Sequence, residues 1–185
     1  IYDDSMWLIN LVENLLSVTR IEEGRLNLHI TEDLVDDVIT EALHHVNRKS
    51  VEHHITVQHK EDYLLAKMDA KLMVQVVINI VDNAIKYTPK GSNILIKTWK
   101  QGDKAVISIA DDGDGIPDEM KERVFDMFYS GANKIADSRR SLGLGLSLCR
   151  SIVNAHGGKI TVSDNTPHGT VFTITLSAGE VEIHE

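Results

Sequence analysis

The chain has 185 residues, 42% hydrophobic and 25% charged, with a formal net charge of -9. That length suits one main core with a short attached element, and no apolar run approaches the roughly 20 residues of a membrane span. The acidic balance argues against nucleic acid as a partner, and the single cysteine, Cys149, set in an apolar helical stretch, reads as a buried thiol with no catalytic role.

The sequence opens at Ile1 in what already reads as mid-helix, with no signal peptide or initiating methionine, so a piece of a longer protein is expected. Ser5, Leu8, Val12, Leu15 and Thr19 step by three and four, and Ile9 and Leu16 widen the seam. Such a helix either packs back on its own domain or joins a four-helix bundle. Glu23-Gly24-Arg25 stops it, which divides the chain into an opening helix over 1–24 and a compact domain over 25–185.

Residues 27–31 alternate like a short strand, and Thr31 stands where it caps a helix carrying Leu34, Val35, Val38, Ile39, Ala42 and Leu43. Residues 55–58 and 64–68 read as strands. Asp69 caps a long helix that runs to Tyr87, before Pro89-Lys90-Gly91 turns the chain. A hairpin follows, with β-branched arms at 94–100 and 104–110 around Gln101-Gly102-Asp103. Residues 128–142 lack apolar periodicity and read as a mobile loop; 144–155 is helical; 159–163 and 170–176 are closing strands, with a frayed tail from 181. Helices and strands mix without strict alternation, so the expected class is α+β: a two-layer α/β sandwich with helices on one face of a mixed sheet.

Asn79, Asn83 and Lys86 fall on one stripe of the long helix, whose other side carries Val76, Val77, Ile80, Val81 and Ala84. Two interior asparagines are poor helix formers, so local stability does not explain them. A carboxamide oxygen is a fitting magnesium ligand beside phosphates, and a lysine one turn on can meet a phosphate; an ordinary solvated stripe is the competing reading. Asp111-Asp112-Gly113-Asp114-Gly115-Ile116-Pro117 directly follows a strand. Its glycines let a flat ligand approach the backbone, and an ionised Asp111 can accept from an exocyclic amine such as that of adenine. A tight Asp-Gly turn is the plain alternative, and the calcium-loop spacing is not met. Ser141-Leu142-Gly143-Leu144-Gly145-Leu146-Ser147 leads into a helix, where backbone amides can face phosphates or the glycines can serve close packing.

An asparagine-bearing helix, a strand ending in Asp-x-Gly-x-Gly, the segment Val124-Phe125-Asp126-Met127-Phe128-Tyr129 and then Gly-Leu-Gly-Leu occur in that order. This arrangement resembles the catalytic domain of sensor histidine kinases across nearly the whole chain. Gly131-Ala132-Asn133-Lys134 and the residues after Gly143 look most like the potassium-responsive branch of that family. The resemblance implies ATP and magnesium as cofactors, with Asn83 at the metal, Asn79 assisting there or at the phosphates, and Lys86 on a phosphate. Asn79 and Lys86 would then be the catalytic pair. Tyr87 would pack on adenine and Asp111 would read its amine. Gly113, Gly115, Ile116 and Thr170 would shape the base pocket, while Gly143, Leu144, Gly145 and Leu146 would lie under the phosphates with Phe128 in the lid. One departure concerns the lid, where the family often has a further glycine near Ser141; another is Met127, which occupies a place where proline is common.

Residues 1–24 look like the second helix of the family's dimerisation hairpin. The acceptor histidine of such kinases belongs on the first helix, and no histidine here has the expected acidic neighbour, so the nine histidines read as scattered surface residues and no structural zinc is expected. The resemblance further implies that the intact protein is a homodimer anchored in a membrane outside this cytoplasmic piece, with a phosphoacceptor hairpin and a response regulator as partners. Gyrase-like, chaperone and mismatch-repair ATPases of the wider superfamily carry glutamate at position 79. A carboxamide cannot act as a general base for water, so Asn79 favours phosphoryl transfer over hydrolysis.

Overall fold

In a computed structural model of the protein, residues 27–46, 52–126 and 144–180 are described, together with Ile9, Val12, Leu16, Thr19 and Arg20. The elements are β1 (Thr31–Leu34), α1 (Val35–His45), β2 (His54–His59), β3 (Leu65–Met68), α2 (Ala70–Lys86), β4 (Asn93–Gln101), β5 (Lys104–Asp111), α3 (Leu144–Ala155), β6 (Lys159–Asp164) and β7 (Thr170–Ser177). Short 3-10 turns lie at Asp118–Met120 and Arg123–Phe125.

Five strands form one mixed sheet in the order β2-β4-β5-β7-β6, with β2 parallel to β4 and the other pairs antiparallel. The register places Ile96, Ile109 and Phe172 in one row and Ile107, Ile174 and Ile160 in the next, so a single face collects the apolar side chains. The helices cover that face. Met73, Val76, Val77, Ile80, Val81, Ala84 and Ile85 of α2 are all buried, and each large one contributes about 1.5–3 kcal/mol by leaving water.

A second sheet of β1 and β3 is antiparallel and was not foreseen. It corrects the expected start of α1. Thr31 caps no helix, because pairing of Thr31 with Met68 through Leu34 with Leu65 holds that stretch extended. Val35 N then bonds Leu64 O at 3.0 Å, and the N-cap of α1 is Leu34, without a side-chain cap. Residues 27–30 are not strand. The remaining boundaries agree with expectation to within one or two residues.

Two contacts fix how α2 lies on α3. Asp69 caps α2 through Leu72 N at 3.4 Å, while its own N–H donates to His156 Nε2 at 3.0 Å, just beyond the end of α3. His156 Nδ1–H donates in turn to Ile152 O at 2.7 Å. Nearer the middle, Cys149 Sγ meets Val76 O at 3.6 Å. The start of α2 therefore meets the end of α3, the helices run antiparallel, and α3 begins beside the stretch of α2 around Asn79 to Val81.

Ile9, Val12 and Leu16 are helical, and each leaves about half of its surface exposed. The rest of the opening helix, the expected loop over 128–142 and the tail from 181 lie outside the described residues. Among the described residues, no helix is long and apolar enough to cross a membrane.

Replacing His156 with Ala removes both of its hydrogen bonds and strands the Asp69 N–H, a loss of about 1–3 kcal/mol; an unchanged urea midpoint would remove the bridge between the helices from the stability argument. Gly102 and Gly169 both have positive φ, but only Gly169 would place a Cβ 1.9 Å from a backbone oxygen, that of Asp111. Gly169→Ala should therefore cost clearly more than Gly102→Ala in the same unfolding assay.

Candidate functional site

Strand β5 ends at Asp111, which pairs opposite Ile94 and so faces the helix layer. Its carboxylate is buried. Oδ1 accepts from Gly113 N at 2.9 Å and Thr170 N at 3.3 Å, and no described residue donates to Oδ2. Burial raises the Asp111 pKa above the ordinary carboxylate value, the Gly113 and Thr170 amides oppose the rise, and Asp112 adds to it. The result is a desolvated acceptor with one oxygen held and the other available.

The chain around it is close-packed. A Cβ on Gly113 would meet Thr88 Cγ2 at 2.8 Å and Asp111 Oδ1 at 3.2 Å, and one on Gly115 (φ 78°) would meet Gly169 O at 3.2 Å. Asp112 is tied outward, accepting from Asn93 N at 2.9 Å and Asn93 Nδ2 at 2.8 Å. These bonds hold its carboxyl below the usual range, Asn93 being the main cause. Ile116 is half-buried against the core, and Thr170 is buried.

On α2, the predicted stripe lies along the border between core and solvent. Asn79 Oδ1 accepts from Gln75 Nε2 at 3.2 Å. Asn79 Nδ2 is buried without a hydrogen bond of ordinary geometry, and the group beside it is the Cys149 thiol, which burial pushes up to about 12. The carboxamide of Asn83 makes no hydrogen bond among the described residues. Lys86 Nζ stands 5.3 Å over the ring of Tyr87, which is itself partly exposed.

The antiparallel packing brings the first turn of α3, where Gly145 and Leu146 are half-buried, to the stretch of α2 around Asn79, with Asn83 and Lys86 one to two turns further along α2. Thr88, just past α2, touches Gly113, so the Asn83 and Lys86 end meets the loop that follows β5. Three of the four sequence motifs thus converge. Phe128, Gly143 and the side chain of Leu144 lie outside the described residues. An open groove of about 840 Å³ runs between Phe125, Arg150 and β6, but it includes neither Asp111 nor the α2 stripe. The convergence of polar groups, rather than that groove, marks the site.

Sequence reasoning missed the outer supports. Asn165 Nδ2 donates to Asp111 O at 2.8 Å and His168 Nδ1 to Gly113 O at 3.1 Å, so the loop between β6 and β7 clamps the loop after β5. His53, expected at the surface, is buried and contacts Thr88 Oγ1 at 2.9 Å. His156 bridges two helices as described above. Of these, His156, which leads into Gly157-Gly158, and the Gly169-Thr170 pair beside His168 carried a signal in the sequence.

Residues 68–180 match the model of the histidine kinase-, DNA gyrase B- and HSP90-like ATPases. The chain is 42% identical over 95% of its length to the sensor protein KdpD of Clostridium acetobutylicum, of which it spans 20%. It resembles the solved catalytic domain of the histidine kinase ThkA at 30% identity and a TM-score of 0.71, covering 80% of this chain and 95% of that one. ThkA in complex with the response regulator protein TrrA is similar at 28% identity and a TM-score of 0.71, over 91% of this chain and 48% of that one. With its buried acceptor on β5 and its asparagine-bearing α2 in the matched region, the chain belongs to the histidine kinase-, DNA gyrase B- and HSP90-like ATPase family, among the catalytic domains of sensor histidine kinases.

Proposed function

We propose that this chain binds ATP with magnesium and presents the γ-phosphoryl group to a histidine on a hairpin outside it, for relay to an aspartate of a response regulator. The observation that carries the reading is the meeting, at one end of the helix layer, of a buried adenine-type acceptor, a carboxamide and lysine stripe, and a helix N-terminus. Residues 1–24 are read as the second helix of that hairpin and 25–185 as the catalytic domain. The exposed apolar positions Ile9, Val12 and Leu16 suit a helix whose partners are elsewhere. Dimerisation and membrane anchoring belong to the same proposal for the longer protein.

Asp111 Oδ2 accepts the base amine, and Tyr87 lies along the base. Gly113, Gly115, Ile116 and Thr170 keep that pocket narrow. Lys86 meets a phosphate, and the amides at Gly143, Leu144, Gly145 and Leu146 lie beneath the chain of phosphates, with Phe128 above them. The donor set fits magnesium: Asn83 offers a carboxamide oxygen without another partner among the described residues, and Asn79, whose oxygen already accepts from Gln75, stands one turn away on the same face. A bound magnesium ion would neutralise phosphate charge.

In the transfer, the lone pair of a neutral imidazole nitrogen forms the N–P bond. The bond from phosphorus to the β–γ bridging oxygen breaks, ADP leaves with that electron pair, and the second imidazole nitrogen gives up its proton. No base is needed to make the nucleophile, in keeping with a carboxamide at position 79.

The direct test mixes the chain with γ-labelled ATP, magnesium and a separate hairpin fragment carrying the acceptor histidine. Acid-labile label on the hairpin is expected. Free phosphate without label would favour a gyrase-like ATPase, and bound ATP with neither product would favour a module that only senses nucleotide. Asn83→Ala should weaken magnesium-dependent ATP affinity by about tenfold or more, equivalent to about 1.4 kcal/mol; affinity that stays magnesium-dependent and unchanged would sink the metal assignment.

Asp111 yields a pH prediction of two opposite signs. The folded chain holds the Asp111 proton more tightly than the unfolded chain, so this group's contribution to stability declines as pH rises from the ordinary carboxylate value through the raised one. Nucleotide affinity moves the other way, falling as acid protonates Asp111, and does so at a higher pH than an ordinary aspartate would give. Asp111→Asn keeps an Oδ1 acceptor for Gly113 and Thr170 but turns an N–H toward the base. It should weaken ATP binding by about tenfold or more while leaving the thermal midpoint equal or higher. A lowered midpoint with intact binding would contradict both halves.

A further inference from the structure

We infer that His53 is a positioning residue for base recognition, acting through Thr88 and Gly113 on Asp111. The inference rests on the nucleotide reading above and extends it to a residue outside the sequence motifs.

The hydroxyl of Thr88 has one proton, and it is committed: Oγ1 donates to Ala84 O at 2.6 Å. The 2.9 Å contact with His53 Nε2 must then run from the imidazole to the hydroxyl, which fixes the Nε2–H tautomer. With its oxygen held from both sides, Thr88 has a set χ1, and its methyl stands against Gly113. A Cβ added to Gly113 would find that methyl at 2.8 Å and Asp111 Oδ1 at 3.2 Å. The Thr88 methyl and the Asp111 carboxylate therefore crowd the same side of the backbone whose N–H holds Asp111 Oδ1. If Thr88 rotates, Gly113 gains room and the Asp111 carboxylate loses its fixed direction.

The backbone reinforces this chain of contacts. Gly91 N bonds Glu52 O at 2.6 Å and His54 N bonds Ser92 O at 3.0 Å, so the residue before β2 is pinned on both sides to the turn that follows α2. His53 is also an expensive choice for mere filling. It is 9% exposed, and its Nδ1 is buried with no hydrogen-bond partner among the described residues. A leucine or phenylalanine occupies such a space without an orphaned nitrogen, and what the imidazole adds is the N–H aimed at Thr88.

The test is calorimetric binding of ADP and of adenosine to the whole chain and its variants, with thermal midpoints recorded beside them. Adenosine reads the base pocket without phosphates. His53→Leu should weaken both ligands by the same factor, about three- to tenfold, the scale of one net hydrogen bond. His53→Gln, which keeps an N–H in place of Nε2, should restore most of the affinity. Thr88→Val, which keeps the methyl and loses the hydroxyl, should match His53→Leu, and the double variant should be no weaker than either single one. A His53→Leu protein with a lowered midpoint but unchanged adenosine affinity would make His53 purely structural and overturn the inference, as would additive losses in the double variant. If the unaltered chain bound neither ligand, the nucleotide reading itself would fall and this inference with it.

Discussion

A carboxylate at the end of β5 faces the layer between sheet and helices, where a charge is costly unless donors surround it. Gly113 N and Thr170 N meet Oδ1 of Asp111, and much of the surrounding architecture follows from supplying those two amides. Gly113 must lie close enough to donate across a two-residue turn, which excludes a side chain there. Thr170 opens β7, so β7 must pair beside β5 in a register that carries its first residue to the end of that strand. Gly169 then has to pass over the Asp111 carbonyl, where no Cβ fits. One buried acceptor thus constrains a turn, a strand start and the loop joining β6 to β7.

The arrangement carries a stability penalty at Asp111. Gly113 and Thr170 offset only part of the desolvation of Asp111, whose pKa stays raised. Asn165 and His168 bond the backbone carbonyls of this turn rather than the carboxylate. They stiffen the frame and leave Oδ2 without a donor among the described residues. A fold optimised for stability alone would give that oxygen a partner or replace the acid with an apolar residue. An acceptor oxygen with no donor among the described residues, beside three glycines, suits the recognition role proposed above.

What the sequence made legible was local and periodic. The apolar rhythm of α2, its Asp69 cap, the β4 and β5 hairpin and the glycine-bearing loop after Asp111 all lie within short windows, and each reappears with small shifts of boundary. Thr31 misled because a good capping residue also pairs well in a strand, and its partner, Met68, is far along the chain. The supports of the site were illegible for the same reason. His53 meets Thr88, and Asn165 and His168 meet the turn after β5, across separations that no periodicity records. Asp111 could be named from its motif, whereas the groups that hold its neighbours in place could not.

Helix α2 belongs to the core and to the site at once, and Asn79 sits where the two meet. Its oxygen is engaged by Gln75, and its nitrogen is buried beside the Cys149 thiol of α3. Burial already pushes that thiol up to about 12, so an ionised group is costly on the Cys149 side of this contact. A glutamate at this position, as the resemblance implies for the gyrase-like ATPases, would bring a carboxylate to the edge of the same contact, where the Gln75 amide is one donor. A neutral carboxamide is the polar group this packing tolerates. On the reading proposed above, a carboxamide at position 79 favours transfer over hydrolysis, and a base put in its place would also meet the packing around Cys149.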